Sequence, residues 1–496
     1  MVIRFGPLDG VVLALFVAGV LALGFSARLR SLSILQFLAA GRALTLPVFV
    51  ATLVSTWYGG ILGIGESVSY YGVGTWALFG LPYYVFAALY AGALARRVRS
   101  ADQISIPERL ELRFGRPVAL AGAVLVFLLA LPAAHALMLG VLVQSLTGWD
   151  LLPSMVVGTA VGTALLYKGG LMADARVSLL SFTLMYVGFA AMVAWCAFRF
   201  PLLEPLRSLD RPELLQWDGG AGTLYFVSLF LLGAWTLVDP GFHQRVASAA
   251  SPEIGRRGVM LSVGLWFCFD LLTITCGLYA LTLLSQPPSD PLLLFPALAQ
   301  AVLPGGLKAL FFCGMAGTIL SAFVGYTLVA GASLGREVAA RLRPSASDLD
   351  ATRWTRWGLV ASALLAVVVG RLIGSVVALW YAWAGAVVGA MLLPVLQAYG
   401  IGPFRHVGKH AVLASMAAGF TLSMGWLVYG KTTGNGFLEV GWVSGQGLQF
   451  VQPSSPLWPE ATKMSLGTLI PGLVAGALVL ALGEATARRR HAHAGR

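Results

Sequence analysis

Thirteen apolar stretches, each about the length needed to cross a bilayer, constrain this chain more than any other feature. A spanning helix needs about 20 apolar residues. The candidate segments are 8–27, 45–70, 73–95, 117–146, 151–167, 177–198, 222–239, 258–284, 305–334, 357–373, 376–398, 408–429 and 465–483. The 496 residues are 58% hydrophobic and 11% charged, against about 25% charged in a soluble domain. The sequence predicts an all-α polytopic membrane protein of about 13 transmembrane helices. The stretch Val11–Leu23 has only Arg4 before it and no small-residue cleavage site, so it is expected to stay as the first helix.

Charge sets the expected orientation. Cytoplasmic loops of membrane proteins accumulate Lys and Arg. Of the 33 here, 25 fall in loops that follow odd-numbered spans or in the C-terminal tail, and 8 fall on the other side. This predicts an outside N-terminus, a cytoplasmic C-terminus and residence in a bacterial-type inner membrane. It also accounts for the net charge of +12 without a nucleic-acid partner; lipid is the expected surface. Residues 199–221 and 430–464, rich in Pro, Gly, Trp and acids, read as ordered outer caps. The four cysteines (Cys196, Cys268, Cys276, Cys313) are scattered through apolar segments and form no CxxC or Cys/His cluster. No HExxH and no Ser/His or paired-Asp arrangement lies inside the spans, so an enzyme is not expected, nor is any cofactor.

The second span carries the most informative local sequence, "LVSTWYGGILGIGESVSYYG" (53–72). Glycines weaken a helix, and a membrane helix is interrupted only where the freed backbone faces protein, water or a ligand. Secondary transporters place such breaks at the bilayer midplane, where backbone carbonyls meet a cation and half-helix ends meet the solute. The break is expected over 55–60. A second, weaker interruption is expected five spans later, where Gly233, Trp235 and Thr236 precede Asp239-Pro240. The spacing suggests two five-helix repeats, 45–198 and 222–398. Helix 8–27 precedes them, and the C-terminal helices of 408–483 follow.

Five stretches resemble the sodium:solute symporter family, which has the LeuT-type five-plus-five inverted repeat. They are "FLAAGRALTLPVFVATLVSTWYGGILGIGESVSYYGVG" (37–74), "SIPERLELRFGRP" (105–117), "YKGGLMADARVS" (167–178), "HQRVASAASPEIGRRG" (243–258) and "LFFCGMAGTILSAFVGYTLVAGASLGRE" (310–337). The fourth looks like the family's cytoplasmic Gln-Arg loop. The resemblance implies a secondary active transporter moving a small organic solute (an organic acid, amino acid or vitamin-like compound) with Na+ by alternating access.

It implies a cation site at Leu53, Thr56, Thr318 and Ser321. Many members carry paired hydroxyls on the eighth core helix; this chain reads Ser321-Ala322-Phe323-Val324-Gly325, and the fifth-helix Asp of the family falls on Ser178. Trp57, Tyr58, Gly60, Trp235 and Phe269 are the expected solute-binding residues. Glu66 and Asp270, acids inside spans, are candidates for gating or proton transfer, since an intramembrane carboxylate is a functional hypothesis by default. Proton-coupled or uncoupled transport on the same fold is the alternative, and a transporter-like membrane sensor a more distant one.

Overall fold

The computed structural model describes residues 2–27, 33–343, 345–376, 379–432, 439–443, 447–450, 462–465 and 467–494. Each of the thirteen expected segments is largely helical, 151–167 and 177–198 within one long helix, and residues 377–378 of the segment 376–398 lie outside the described residues. Eleven helices among the described residues are long and apolar enough to cross a membrane. The longest, Leu151–Arg199, is two helices joined at Gly170, whose φ of 52° interrupts the helical backbone. A shorter apolar helix, Gly385–Ala398, lies in the expected second repeat.

The principal helices are α1 (Pro7–Phe25), α2 (Leu46–Trp57), α3 (Ile61–Tyr71), α4 (Trp76–Ser100), α5 (Arg116–Ala130), α6 (Ala133–Thr147) and α7 (Leu151–Arg199). They continue with α8 (Thr223–Leu232), α9 (Pro240–Ser248), α10 (Pro252–Leu283), α11 (Leu294–Val302) and α12 (Leu307–Ala340). The last four are α13 (Asp348–Ile373), α14 (Gly385–Ala398), α15 (Lys409–Thr432) and α16 (Leu469–Ala494).

The most buried helices include the two that carry Ser55, Thr56 and Ser321. Five-sixths of the apolar windows of Leu46–Gly74, Arg116–Thr147 and α12 are buried, against about a sixth for α1. Small residues allow this closeness, as in membrane helix pairs generally. A methyl on Gly188 or Gly314 would lie 3.1 or 2.8 Å from a backbone carbonyl oxygen of the facing helix in the α7–α12 pair. Helix α1 is tied to α12 by Asp9, whose carboxylate accepts from the amides of Gly306 (2.7 Å) and Ala309 (3.2 Å) at the α12 N-terminus.

The amphipathic helix Ile106–Phe114 begins at Ser105, whose hydroxyl caps it. Its acids form a latch with the end of α12: Arg336 pairs with Glu108 and Glu337, and Arg341 with Glu111 and Glu337.

The expected cap at 199–221 is ordered. It contains the short helix Leu203–Arg207 and the turn Pro212–Leu215. Arg211 donates to the carbonyls of Ser69 and Tyr70, so the cap closes over the end of α3. Most of 430–464, the other expected cap, lies outside the described residues. What is described there departs from an all-helical chain: strands Glu439–Val443, Gly447–Phe450 and Thr462–Ser465 form a small antiparallel sheet.

Candidate functional site

Three helices are interrupted beside one cavity. The first break is gentler than the sequence suggests. Residues Tyr58–Gly60 form one tight 3-10 turn between α2 and α3 rather than an open stretch, and Leu53 and Thr56 lie inside α2, just before it. The second break is more open. A 3-10 turn, Gly233–Leu237, ends α8, and Asp239 is extended (ψ 117°) before α9 begins at Pro240. Proline at the first helical turn with an Asp before it is the sequence pattern that starts a helix. The Asp239 carboxylate accepts from the Phe242 amide at 2.8 Å and from the Tyr326 hydroxyl at 2.9 Å. The third break, at Leu131-Pro132, separates α5 from α6.

Around the first break, hydroxyls from three helices converge. Ser321 on α12 lies 2.9 Å from Ser55, 3.3 Å from Thr56 and 2.8 Å from Ser178, oxygen to oxygen. All four residues are buried. Thr318, the other expected α12 ligand, turns its hydroxyl back to the Met315 carbonyl at 2.9 Å. This is the ordinary local bond of a hydroxyl residue in a membrane helix.

Sequence reasoning missed the charged partners of this cluster. Arg245, expected in a cytoplasmic loop, is on α9 and 1% exposed. Its Nη2 donates to the Thr56 hydroxyl (2.6 Å) and to the Asp174 carboxylate (3.0 Å). Asp174, 0% exposed, also accepts from the Ser178 hydroxyl at 3.2 Å. The contacts close a ring: Arg245, Thr56, Ser321, Ser178, Asp174 and back to Arg245. The break at Asp239-Pro240, visible in the sequence, is what turns α9 inward and carries Arg245 into the core.

A cavity of about 120 Å³ lies beside the first two breaks. Trp57, Tyr58, Gly60 and Trp235 line it, as expected, and Asp270 joins them. Phe269 does not. It is fully buried behind Tyr58, the two ring centroids 4.5 Å apart, because on the continuous helix α10 the adjacent position points elsewhere. Sequence reasoning also missed Tyr83, Tyr84, His135, Tyr326, Trp380 and Trp383, which complete the wall. They come from four segments distant in sequence, and only packing assembles them. Trp380 closes over Gly60, where a methyl would lie 2.2 Å from the ring. His135 stacks on Tyr326 at 5.3 Å. Tyr84 donates to the Asp270 carboxylate.

Glu66 stands apart from the cavity lining, in the second turn of α3, where its carboxylate accepts from the Ser375 hydroxyl at 3.0 Å. It joins α3, the second part of the first interrupted helix, to the start of the segment that carries Trp380. Among the described residues no group of three or more His, Cys, Asp or Glu is arranged to hold a metal.

Paired interrupted helices five spans apart, polar clusters at the breaks and a cavity between them define a LeuT-type secondary transporter. Residues 37–398 match the model of the sodium:solute symporter family, and the chain belongs to that family. It is therefore a multi-pass membrane protein that couples movement of a solute to Na+ by alternating access.

Two solved structures are similar. One is a Na+-coupled sialic acid symporter in a substrate-bound outward-open state: TM-score 0.76, 13% identity, 98% of each chain covered. The other is Mhp1, a nucleobase-cation-symport-1 family transporter, closed with bromovinylhydantoin bound: TM-score 0.55, 13% identity, 94% of this chain and 95% of that one. At this identity the likeness concerns the fold. No curated protein sequence matches the chain.

Proposed function

We propose that the protein is a symporter that binds Na+ at the hydroxyl cluster of α2, α7 and α12 and a small organic solute in the adjoining aromatic cavity. The observation that carries this reading is the position of Thr56, Trp57 and Tyr58. Thr56 belongs to the cluster and the next two residues line the cavity. One turn of one interrupted helix touches both, so filling either site bears on the geometry of the other.

The cation ligands we propose are backbone oxygens of Leu53, Thr56 and Thr318 with the hydroxyl of Ser321; Ser178 adds a further oxygen that the sequence reading counted as a lost carboxylate. Hard oxygen donors suit a small cation. The solute site comprises Trp57, Tyr58, Gly60, Trp235 and Asp270. Among the described residues lining the cavity, Asp270 is the one carboxylate, and none is Lys or Arg. Aromatic faces and a carboxylate attract a positive nitrogen. Of the solute classes expected from the sequence, this chemistry favours an amine-bearing compound over a free organic acid. We assign Glu66, through Ser375, to the outer gate, with the N-terminus outside the cell and the C-terminus in the cytoplasm.

The test is uptake into proteoliposomes from a panel of cationic, zwitterionic and anionic solutes, with an inward Na+ gradient and with K+ in its place. Accumulation of an amine-bearing solute that needs Na+ is the expected result. Accumulation that follows a pH gradient and ignores Na+ would favour proton coupling, for which Asp270, on the cavity wall, is the candidate carrier.

A further inference from the structure

The family reading places Na+ where the structure already holds a positive charge. The Arg245 guanidinium donates to Thr56 at 2.6 Å, and Thr56 lies 3.3 Å from Ser321. The residues around Arg245 make room for it. A methyl on Gly325 would lie 2.6 Å from Nη2. The same stretch of α12, Ser321-Ala322-Phe323-Val324-Gly325, has only one hydroxyl where many family members have more. Asp174 supplies the counter-charge, one turn before Ser178 on α7.

We infer that the Arg245 guanidinium is a tethered occupant of the cation site, exchanging with Na+ there. Two cations cannot share one buried oxygen cluster, because their repulsion is weakly screened in the interior. When Na+ enters, the guanidinium leaves Thr56 and stays with Asp174; when Na+ leaves, the guanidinium returns. Arg245 is on α9, which directly follows the second break, whereas Thr56 is on α2, directly before the first. The exchange thus makes or breaks a hydrogen bond between the two interrupted helices, and the cation's presence is transmitted to their relative position. The inference rests on the proposed location of the Na+ site. It adds that Na+ works against a resident charge.

The test uses the full-length protein in detergent, with thermal unfolding followed across a Na+ titration in which K+ holds ionic strength constant. A ligand that binds the native state raises apparent stability, so the half-saturating Na+ concentration can be read directly. Three variants are compared with the parent: Arg245→Gln, Asp174→Asn, and the two combined. Removing the guanidinium is expected to lower half-saturating Na+ at least tenfold, because the competitor is gone and Asp174 is left in want of a cation. Removing the carboxylate is expected to raise it at least tenfold, because the guanidinium then has only the hydroxyl cluster to bind.

A salt bridge with a merely structural role would shift both single variants in the same direction, or neither, and either result would overturn the inference. Should Arg245→Gln fail to fold with an unpaired buried carboxylate, the double variant decides. It carries neither charge of this buried pair, and tighter Na+ binding than in the parent supports exchange, while unchanged or weaker binding refutes it. A parent indifferent to Na+ beside a responsive Arg245→Gln variant would count against Na+ coupling and for the tethered occupant. A responsive parent with unshifted variants would count the other way.

Discussion

A methyl group at Gly59 tests whether the α2–α12 approach builds the cation site. Gly59 lies in the 3-10 turn, and a Cβ there would sit 1.9 Å from the Cβ of Ala322 and 3.1 Å from His135 Cδ2. Carbon atoms in contact prefer about 3.5–4.0 Å. The deficit against Ala322 is therefore at least about 1.6 Å, and both partners sit on backbone that has no rotamer to yield. The helices must part locally. The Ser321 contacts to Ser55 and Thr56 span 2.9 and 3.3 Å, so a separation even a third of that size takes the longer one past hydrogen-bond range.

Overpacking of this kind costs about 1–3 kcal/mol. Gly59→Ala is expected to lower the thermal stability by that order and to abolish the Na+-dependent rise in unfolding temperature. The companion change Ala322→Gly deletes the opposing methyl and alone costs about 1 kcal/mol, as Gly does in a helix. The double variant should recover the Na+ response, with a favourable coupling of about 1–2 kcal/mol in the double-mutant cycle. If Gly59→Ala binds Na+ as the parent does, or if Ala322→Gly brings no recovery, the cation site is not formed at this crossing.

Three further outcomes follow from other parts of the molecule. Asp270→Asn should weaken binding of an amine-bearing solute at least tenfold in equilibrium dialysis and leave Na+-dependent thermal stabilisation intact, because Asp270 lies on the cavity wall and outside the ring around Ser321; loss of both would mean that the two sites are not separable as described. Gly170→Ala should destabilise the fold by about 2 kcal/mol or more, since φ is 52° and the new methyl would meet the Phe37 carbonyl oxygen at 2.3 Å; an unfolding temperature equal to the parent's would refute the account of the α7 break. Cysteine at Ser208, exposed in the outer cap, should react in intact cells with an impermeant maleimide, whereas cysteine at Ser345 should react only after lysis; the opposite pattern would invert the proposed orientation. Thr433, in the other expected cap, lies outside the described residues.

How legible the site was depended on the range of the signal. Residues 55–60 were readable because glycines and hydroxyls in an apolar span are a local anomaly, and the break lies there, although as a tight 3-10 turn. Trp57, Tyr58 and Gly60 followed from it by adjacency. Ser321 carried a family resemblance and does join the cluster. Phe269 and Arg245 went astray because their placement is not local. One residue's step along α10 separates a cavity-lining carboxylate from a buried ring, and the inward turn of α9 converts a basic residue that reads as a cytoplasmic loop charge into the buried cation of the polar cluster.

The sequence by itself determined that this chain lives in a membrane, that its helices run in two repeats, and where the first of them is interrupted. Hydrophobic length and helix-breaking chemistry act over about twenty residues or fewer, and such signals can be read along a line. Which face each helix shows, which distant segments furnish the aromatic wall, and that Arg245 meets Asp174 and Thr56 were decided only by tertiary structure. Those residues are separated by 71 and 189 positions. Nothing in the local sequence of any one of them specifies the others; only the packing of α2, α7, α9 and α12 against one another brings their polar groups within hydrogen-bond reach, where burial obliges them to find partners.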